Sequence, residues 1–326
     1  MTDSHHEDAA AALERTLLGG SRRYTRHQVA EETGVPLDRA QRLWRALGFP
    51  DVADDEVVFT DLDVHALRTV QELVDLGLLD DETQIATTRA MGQSLSRLAD
   101  WQVSVITHVL EELDANSPEV AAEAARELVP TLEGLIGYVW RRHLAAVAAR
   151  VLANPDEVVA RPMVVGFADL VGYTTLTRHA DEDELARVVG GFESVASDVI
   201  AEHGGRVVKT VGDEVMFTVD DAAVGAELAL CLLESVEADE SLPGLRIGLA
   251  HGTVLARLGD IYGEPVNLAS RLTSIARPDS VLVDRDLAAA LENDDRYRLR
   301  RVPPRPVRGY ALLHAMRLRR ADATGD

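Results

Sequence analysis

The chain has 326 residues, enough for two domains with a core in each. A hydrophobic content of 46% excludes a disordered chain, and a net charge of −22 argues against wholesale attraction to nucleic acid or anionic membrane. The one cysteine, Cys231, excludes an internal disulfide and fits a reducing cytoplasm.

Residues 1–20 read as a flexible tail entering a helix, and residues 24–152 as almost entirely helical. The apolar spacing of VHALRTVQELVDLGLL has a period of 3.6. Thr60-Asp61 supplies its N-cap, and Gly77 falls near its end. A second long helix is expected over TTRAMGQSLSRLADWQVSVITHVLEEL. The stretch 114–118 breaks it, with Pro118 suited to the first turn of a third helix that runs to about Leu152. Pro130 can kink that helix. Its most membrane-like part, LIGYVWRRHLAAVAARVL, carries Arg141, Arg142, His143 and Arg150, so it fails as a spanning segment. A soluble, cytoplasmic protein is expected, with no transmembrane segment.

Asn154-Pro155 and Arg161-Pro162 bracket a short polar segment. The domains are therefore read as 1–153 and 163–326, with a linker at 154–162. Beyond Met163 short apolar strands alternate with helices, which predicts a mixed sheet. The expected strands are 163–168, 205–211, 214–219, 244–251, 280–284 and 310–317.

Two aspartates stand out. Asp169 ends the apolar run MVVGFA, and Asp213 sits between the runs RVVKTV and VMFTV, as at a hairpin tip. A strand end and a hairpin tip can bring two carboxylates together. Such a pair can hold two divalent cations for chemistry at phosphorus. Lys209 lies four residues before Asp213 and is read as sharing its sheet face. Asp260 falls in the loop RLGDIYGEP. Asn267 and Arg271, four apart in VNLASRLTSIA, project from one helix face, with Pro265 at its entry. An arginine on an apolar helix face needs an anion, and triphosphate would supply one. Singly, each of these residues is most simply a cap, a turn or a solvated charge.

Jointly, FADLVGYT, KTVGDEVMF and GDIYGEPVNLASRL resemble the class III nucleotidyl cyclase catalytic domain over about residues 160–318. The resemblance implies an α+β, ferredoxin-like domain with a mixed sheet, preceded here by an all-α regulatory domain. It implies an adenylate cyclase with Asp169 and Asp213 binding two Mg²⁺ or Mn²⁺ ions. The backbone of Leu170, Val171, Gly172, Tyr173 and Thr174 would lie along the phosphates. Lys209 and Asp260 would read adenine, so that ATP is favoured over GTP. Asn267 would orient the ribose and Arg271 would stabilise the α-phosphate. Arg308, or less well Arg305, would reach the terminal phosphates. All positions are filled on one chain, so the resemblance implies a homodimer sharing its sites. In that arrangement the metal and adenine residues of one chain face Asn267 and Arg271 of the other, and Asp260 joins Lys209 only across the interface.

The helical half resembles the regulatory domain of pH-sensing adenylyl cyclases. That implies dimerisation, autoinhibition relieved by acid, and a fatty acid in the helical interface. His143 is the first histidine to consider as a pH switch. Locally, YTRHQVAEETGVPLDRAQRLWRALGF resembles a merR-type helix-turn-helix, with Gly34 in the turn and Arg39, Arg42 and Arg45 near one face. The acidic chain argues against DNA as its partner. The alternatives to an active enzyme are a catalytically silent nucleotide-binding module and a DNA-binding regulator.

Overall fold

The computed structural model describes residues 2–77, 80–112, 117–153, 160–257 and 259–321. They fall into two compact units, 1–150 and 151–326. Residues 154–159 of the expected linker lie outside the described residues, whereas 160–162 already belong to the first strand.

The first unit is helical. Residues Thr2–Leu17 form α1, so a helix stands where a flexible tail was expected. Helix α2 (Arg26–Thr33) opens with a capping box in which Thr25 and Gln28 satisfy each other's orphan amides. Gly34 ends it at φ 71°, a left-handed conformation that favours glycine, and α3 (Leu37–Leu47) follows. Helix α4 (Asp61–Asp75) starts at Thr60, which forms a capping box with Asp63. Val29, Leu43, Trp44, Phe59 and Leu67 pack between α2, α3 and α4, with Trp44 and Phe59 stacked at 4.4 Å. Helix α5 (Asp81–Glu112) packs on α3. The expected break after it falls largely on 113–116, outside the described residues. Helix α6 (Pro118–Ala153) begins at Pro118 as expected and continues through Pro130, so no break occurs there. Long helices of this kind expose Trp101 on α5 and Leu135, Tyr138, Trp140 and Leu144 on α6.

The arginines of α3 are already matched by carboxylates. Arg39 meets Asp81 at 2.9 Å, Arg42 meets Asp38 at 3.6 Å and Arg45 meets Asp51 at 3.0 Å. Their charge is spent on this unit's own surface, which weakens the helix-turn-helix reading on physical grounds.

The second unit is a mixed sheet with helices on both faces. Its elements run β1 (Ala160–Leu170), α7 (Tyr173–Leu176), α8 (Glu182–Glu202), β2 (Arg206–Val211), β3 (Glu214–Val219), α9 (Ala222–Glu237), β4 (Leu245–Arg257) and β5 (Asp260–Tyr262). They continue with α10 (Glu264–Ile275), β6 (Ser280–Val283), α11 (Arg285–Ala290), β7 (Tyr297–Val307) and β8 (Tyr310–Arg320). Spatial order is β2-β3-β1-β4-β6-β8-β7, with β5 paired to β4. All pairings are antiparallel except β4 with β6.

Alternation along β1 explains the layers. Val164, Ala168 and Leu170 face the core under α8, α9 and α11. Met163, Val165 and Phe167 face the other way, into a core shared with α10. Two strands escaped the sequence reading. β5 has only three residues, and β7 contains Pro303-Pro304, which an edge strand tolerates because its outer amides need no partner.

Helix α10 lies close on β4 because residue 248 is glycine. A Cβ there would sit 2.4 Å from both the Ala269 carbonyl oxygen and the Thr273 amide. Thr273 Oγ1 also lies 3.2 Å from the Phe167 carbonyl, tying α10 to β1. Gly248→Ala should therefore lower stability by about 1–3 kcal/mol through overpacking against backbone. Urea unfolding of the full chain checks this, and an unchanged midpoint would mean that α10 is not seated as described.

Candidate active site

Sheet register builds the site. Asp169, last but one in β1, stands opposite Glu214 on β3 and opposite Arg246 on β4. The tight turn 212–213 joins β2 to β3, and the Leu170 amide donates to the Asp213 carbonyl at 3.1 Å. Asp169 and Asp213 are thus fixed as neighbours by backbone pairing alone. The reading that put Lys209 and Asp213 on one strand needs correction. β2 ends at Val211, a register shift falls between Val207 and Lys209, and Asp213 belongs to the turn.

Charge in this corner is crowded. Burial pushes the Asp213 carboxyl above its usual range, and the Asp169 charge adds to that push. Glu214 is raised for the same reasons, burial first, then Asp169 and Asp213. Arg246 Nε binds Asp169 Oδ2 and supplies the one arginine cation acting on all three carboxylates among the described residues. Asp169 and Asp213 offer hard carboxylate oxygens of the kind Mg²⁺ or Mn²⁺ takes, although no group of three or more Asp, Glu, His or Cys side chains is placed to hold a metal among the described residues.

The loop after Asp169 divides into two parts. The Leu170 amide is taken by Asp213, and the Val171 amide donates to the Gly244 carbonyl at 2.7 Å. Leu170 itself is buried. These two residues therefore cannot offer amides to phosphate, contrary to expectation. Gly172 is the cap of α7, and Tyr173 and Thr174 open its first turn, where amides have no partner within the helix. The Tyr173 side chain packs against the core.

Lys209 and Asp260 meet directly. Lys209 Nζ lies 2.7 Å from Asp260 Oδ2 although 51 residues separate them. Asp260 opens β5, where its Oδ1 also accepts from the Ile261 amide. Burial alone would raise the Asp260 carboxyl. The hydrogen bonds from Lys209 and Ile261 and the nearby Lys209 charge outweigh it and hold the group below the usual carboxylate range. The pair forms within one chain, which corrects the expectation that it forms only across an interface.

Asn267 and Arg271 both lie on α10, which starts with Pro265 near its N-terminus. Among the described residues no hydrogen bond or ion pair joins either of them to Asp169 or Asp213. Arg308 is exposed in the turn between β7 and β8, and Arg305 is exposed on β7. Tyr310, just past that turn, is raised by burial first, with Glu264 adding and Arg271 opposing. The hairpin tip is therefore close enough to α10 for Tyr310 to feel Arg271.

Residues 159–318 match the adenylate and guanylate cyclase catalytic domain, and residues 5–159 match the adenylate cyclase regulatory domain. An adenylate cyclase of Streptomyces coelicolor is 42% identical, over 99% of this chain and 93% of its own length. The chain belongs to the adenylate and guanylate cyclase family. This cyclase is also similar to an adenylate cyclase of Streptomyces griseus, 46% identical over 86% of this chain and 72% of that protein. A pH-sensitive adenylate cyclase of Mycobacterium tuberculosis is 33% identical over 85% of this chain and 72% of its own length. The fold is that of a class III catalytic domain with a helical unit before it. Among the described residues no helix is long and apolar enough to cross a membrane.

Proposed function

We propose that this cyclase is a homodimeric adenylate cyclase that converts ATP to 3′,5′-cyclic AMP and pyrophosphate. The observation that carries the reading is that Asp169, opposite Glu214 in the β1–β3 ladder, lies beside the Asp213 turn held by the Leu170 amide, with a preformed Lys209–Asp260 pair in the same unit. Asp169 and Asp213 would hold two divalent cations, Mg²⁺ or Mn²⁺. When bound, such a metal pair makes the ribose 3′-hydroxyl more acidic and neutralises triphosphate charge.

The chain's own residues do the rest. Lys209 donates to adenine N1 and Asp260 accepts from the exocyclic amine. Their mutual salt bridge fixes both side chains before the base arrives. Asn267 orients the ribose, and Arg271 offers its fork of donors to charge developing at the α-phosphate. The amides of Gly172, Tyr173 and Thr174 face the phosphates at the start of α7. Arg308 reaches the terminal phosphates, with Arg305 the weaker choice. Arg246 adds a cation beside Asp169 that sequence reasoning did not single out.

Two equivalent sites in a C₂ dimer follow from the complete set of site residues on one chain, as the cyclase resemblance implies. Lys209 and Asp260 enter each site together, from the same protomer. Residues 1–153 would form the regulatory, autoinhibitory module, joined to residues 163–326 through 154–162. The exposed apolar residues of α5 and α6 are a face for a second copy. The fatty acid of the regulatory resemblance is proposed for a cavity of about 430 Å³ lined by Leu18, Trp44, Phe49 and Phe59, whose apolar walls would take its chain. The pH-sensitive relative supports pH as the signal, and the resemblance to pH-sensing regulatory domains makes acid the proposed activator. His143, exposed on α6 beside Arg141 and Arg142, is the first histidine to test as the switch.

The test is cyclic AMP formation by the full chain from ATP and Mn²⁺ between about pH 5.5 and pH 8, a range that spans the ordinary histidine pKa. Activity should rise toward acid. A flat profile would remove the pH sensor and keep the enzyme. ATP binding without product, in the full chain and in residues 156–326 alike, would favour a silent nucleotide-binding module.

A further inference from the structure

Residues 296–320 hold nine arginines and no aspartate or glutamate, in a chain whose net charge is −22. They form the β7–β8 hairpin at the edge of the sheet. One face of that hairpin, Tyr297, Leu299, Met316 and Leu318, joins the core under α9 and α11. Alternation then puts Arg298 and Arg300 of β7, and Arg317 and Arg319 of β8, on the opposite face.

Register makes the crowding direct. Arg298 stands opposite Arg319, and Arg300 stands opposite Arg317. Like charges directly across a ladder destabilise it. Arg277, just after α10, brings a fifth guanidinium close enough to be felt by Arg317. Arg317 is pushed below its ordinary value, by burial first and then by Arg319, Arg277 and Arg300. Its Nε is buried with no hydrogen-bond partner among the described residues, while one terminal nitrogen donates to the Asp279 carbonyl at 3.3 Å. The Asp279 carboxylate is engaged by the Leu245 amide, and no ion pair joins it to these arginines among the described residues. Neighbouring arginines of the hairpin differ: Arg296 is matched by Asp294, and Arg320 by Glu227 and Glu234.

Five guanidinium groups held together with no ion pair to a carboxylate among the described residues call for an anion from outside. Alternate residues on a strand are about 7 Å apart and neighbouring strands about 5 Å apart, so the array meets several oxygens at once. Arginine forks match phosphate in two bonds each. We propose that Arg277, Arg298, Arg300, Arg317 and Arg319 form a binding site for a multivalent phosphate, carried by a free oligophosphate or by an anionic phospholipid headgroup. The site is separate from the one assigned to Arg308, which lies at the far end of the hairpin, about 20 Å along the strand from Arg317.

The test uses the full chain in EDTA at near-physiological salt, with tripolyphosphate measured by calorimetry and phosphatidylglycerol-containing vesicles by flotation. The chain should bind at least one probe. Arg300→Gln/Arg319→Gln should weaken that binding by about tenfold or more, as expected for losing two bidentate contacts. Arg271→Ala/Arg308→Gln, which removes the arginines proposed to hold triphosphate at the catalytic site, should bind the probe as the unaltered chain does, and loss of binding there would place the probe at that site and overturn the proposal. Tripolyphosphate binding assigns a free oligophosphate, and vesicle binding alone assigns a headgroup. In phosphate-free buffer the double variant should melt about 1–4 °C higher, because a cross-strand repulsion is relieved. No binding of either probe, or equal binding by the double variant, would overturn the proposal. A lower melting temperature would do so too, since the arginines would then not strain the hairpin.

Discussion

Asp169→Ala and Asp213→Ala should each reduce cyclic AMP formation to background while the chain stays folded. Asp169 sits at a strand end opposite Glu214 and Arg246, and Asp213 in a turn, so neither carboxylate supports the core. Removing Asp213 relieves repulsion with Asp169 and Glu214, whereas removing Asp169 offsets that relief by breaking its pair with Arg246. Thermal stability should therefore hold or rise slightly in Asp213→Ala and fall only slightly in Asp169→Ala, and this separates loss of chemistry from loss of fold. Arg271→Ala should lower turnover by about a hundredfold to a thousandfold, the usual cost of one donor aimed at developing charge. The sharper result comes from mixing. Asp169→Ala chains and Arg271→Ala chains, each dead or nearly so, should recover activity when combined. One of the two sites in the mixed dimer then draws an intact aspartate pair from one chain and an intact α10 from the other. A mixture that stays at background, although the chains are shown to exchange, would sink the shared-site dimer. Substantial activity in either aspartate variant alone would sink the metal assignment.

Much of this site is legible in the residues because it rests on strand ends and turns. Apolar runs of six or so residues mark β1 and β3, and a charged residue at the end of such a run has few structural duties. Asp169 and Asp213 are readable for that reason. The limits are equally physical. Arg246 lies in LRIGLAHG, where one arginine at the start of a buried strand looks like an ordinary solvated end. Only the register with Asp169 gives it a role. The amides of Leu170 and Val171 looked available because sequence shows no hydrogen bonds, yet sheet and loop consume them. Glu214 is a third case, a hairpin residue whose burial beside two aspartates follows from pairing. β7 was missed because Pro303-Pro304 normally argues against a strand, and only an edge position removes that objection. Of the arginines on this hairpin, the sequence singles out only Arg308 and Arg305 as phosphate contacts. Their cross-strand opposition needs both strands to be seen.

The Lys209–Asp260 pair carries the second large effect. Within one chain, Lys209 Nζ and Asp260 Oδ2 are 2.7 Å apart, and both side chains are partly exposed. The salt bridge itself should add little to stability at that exposure. In the proposed site its value would be positional, holding a donor and an acceptor ready for one purine edge. Lys209→Ala should cut kcat/KM for ATP by about a hundredfold or more, because a site built to hydrogen-bond its substrate discriminates strongly when a partner is lost. Asp260→Ala should do the same and leave Lys209 without its partner, whereas the fold should tolerate both. Residues with the opposite hydrogen-bonding pattern at 209 and 260 should shift preference toward GTP, and only when both are changed. A single exchange leaves a mismatched pair that fits neither base. The check is a competition assay measuring cyclic AMP and cyclic GMP from equal ATP and GTP. An unchanged product ratio in the double exchange, with activity retained, would remove the purine-reading role from the pair and leave it a strut between β2 and β5.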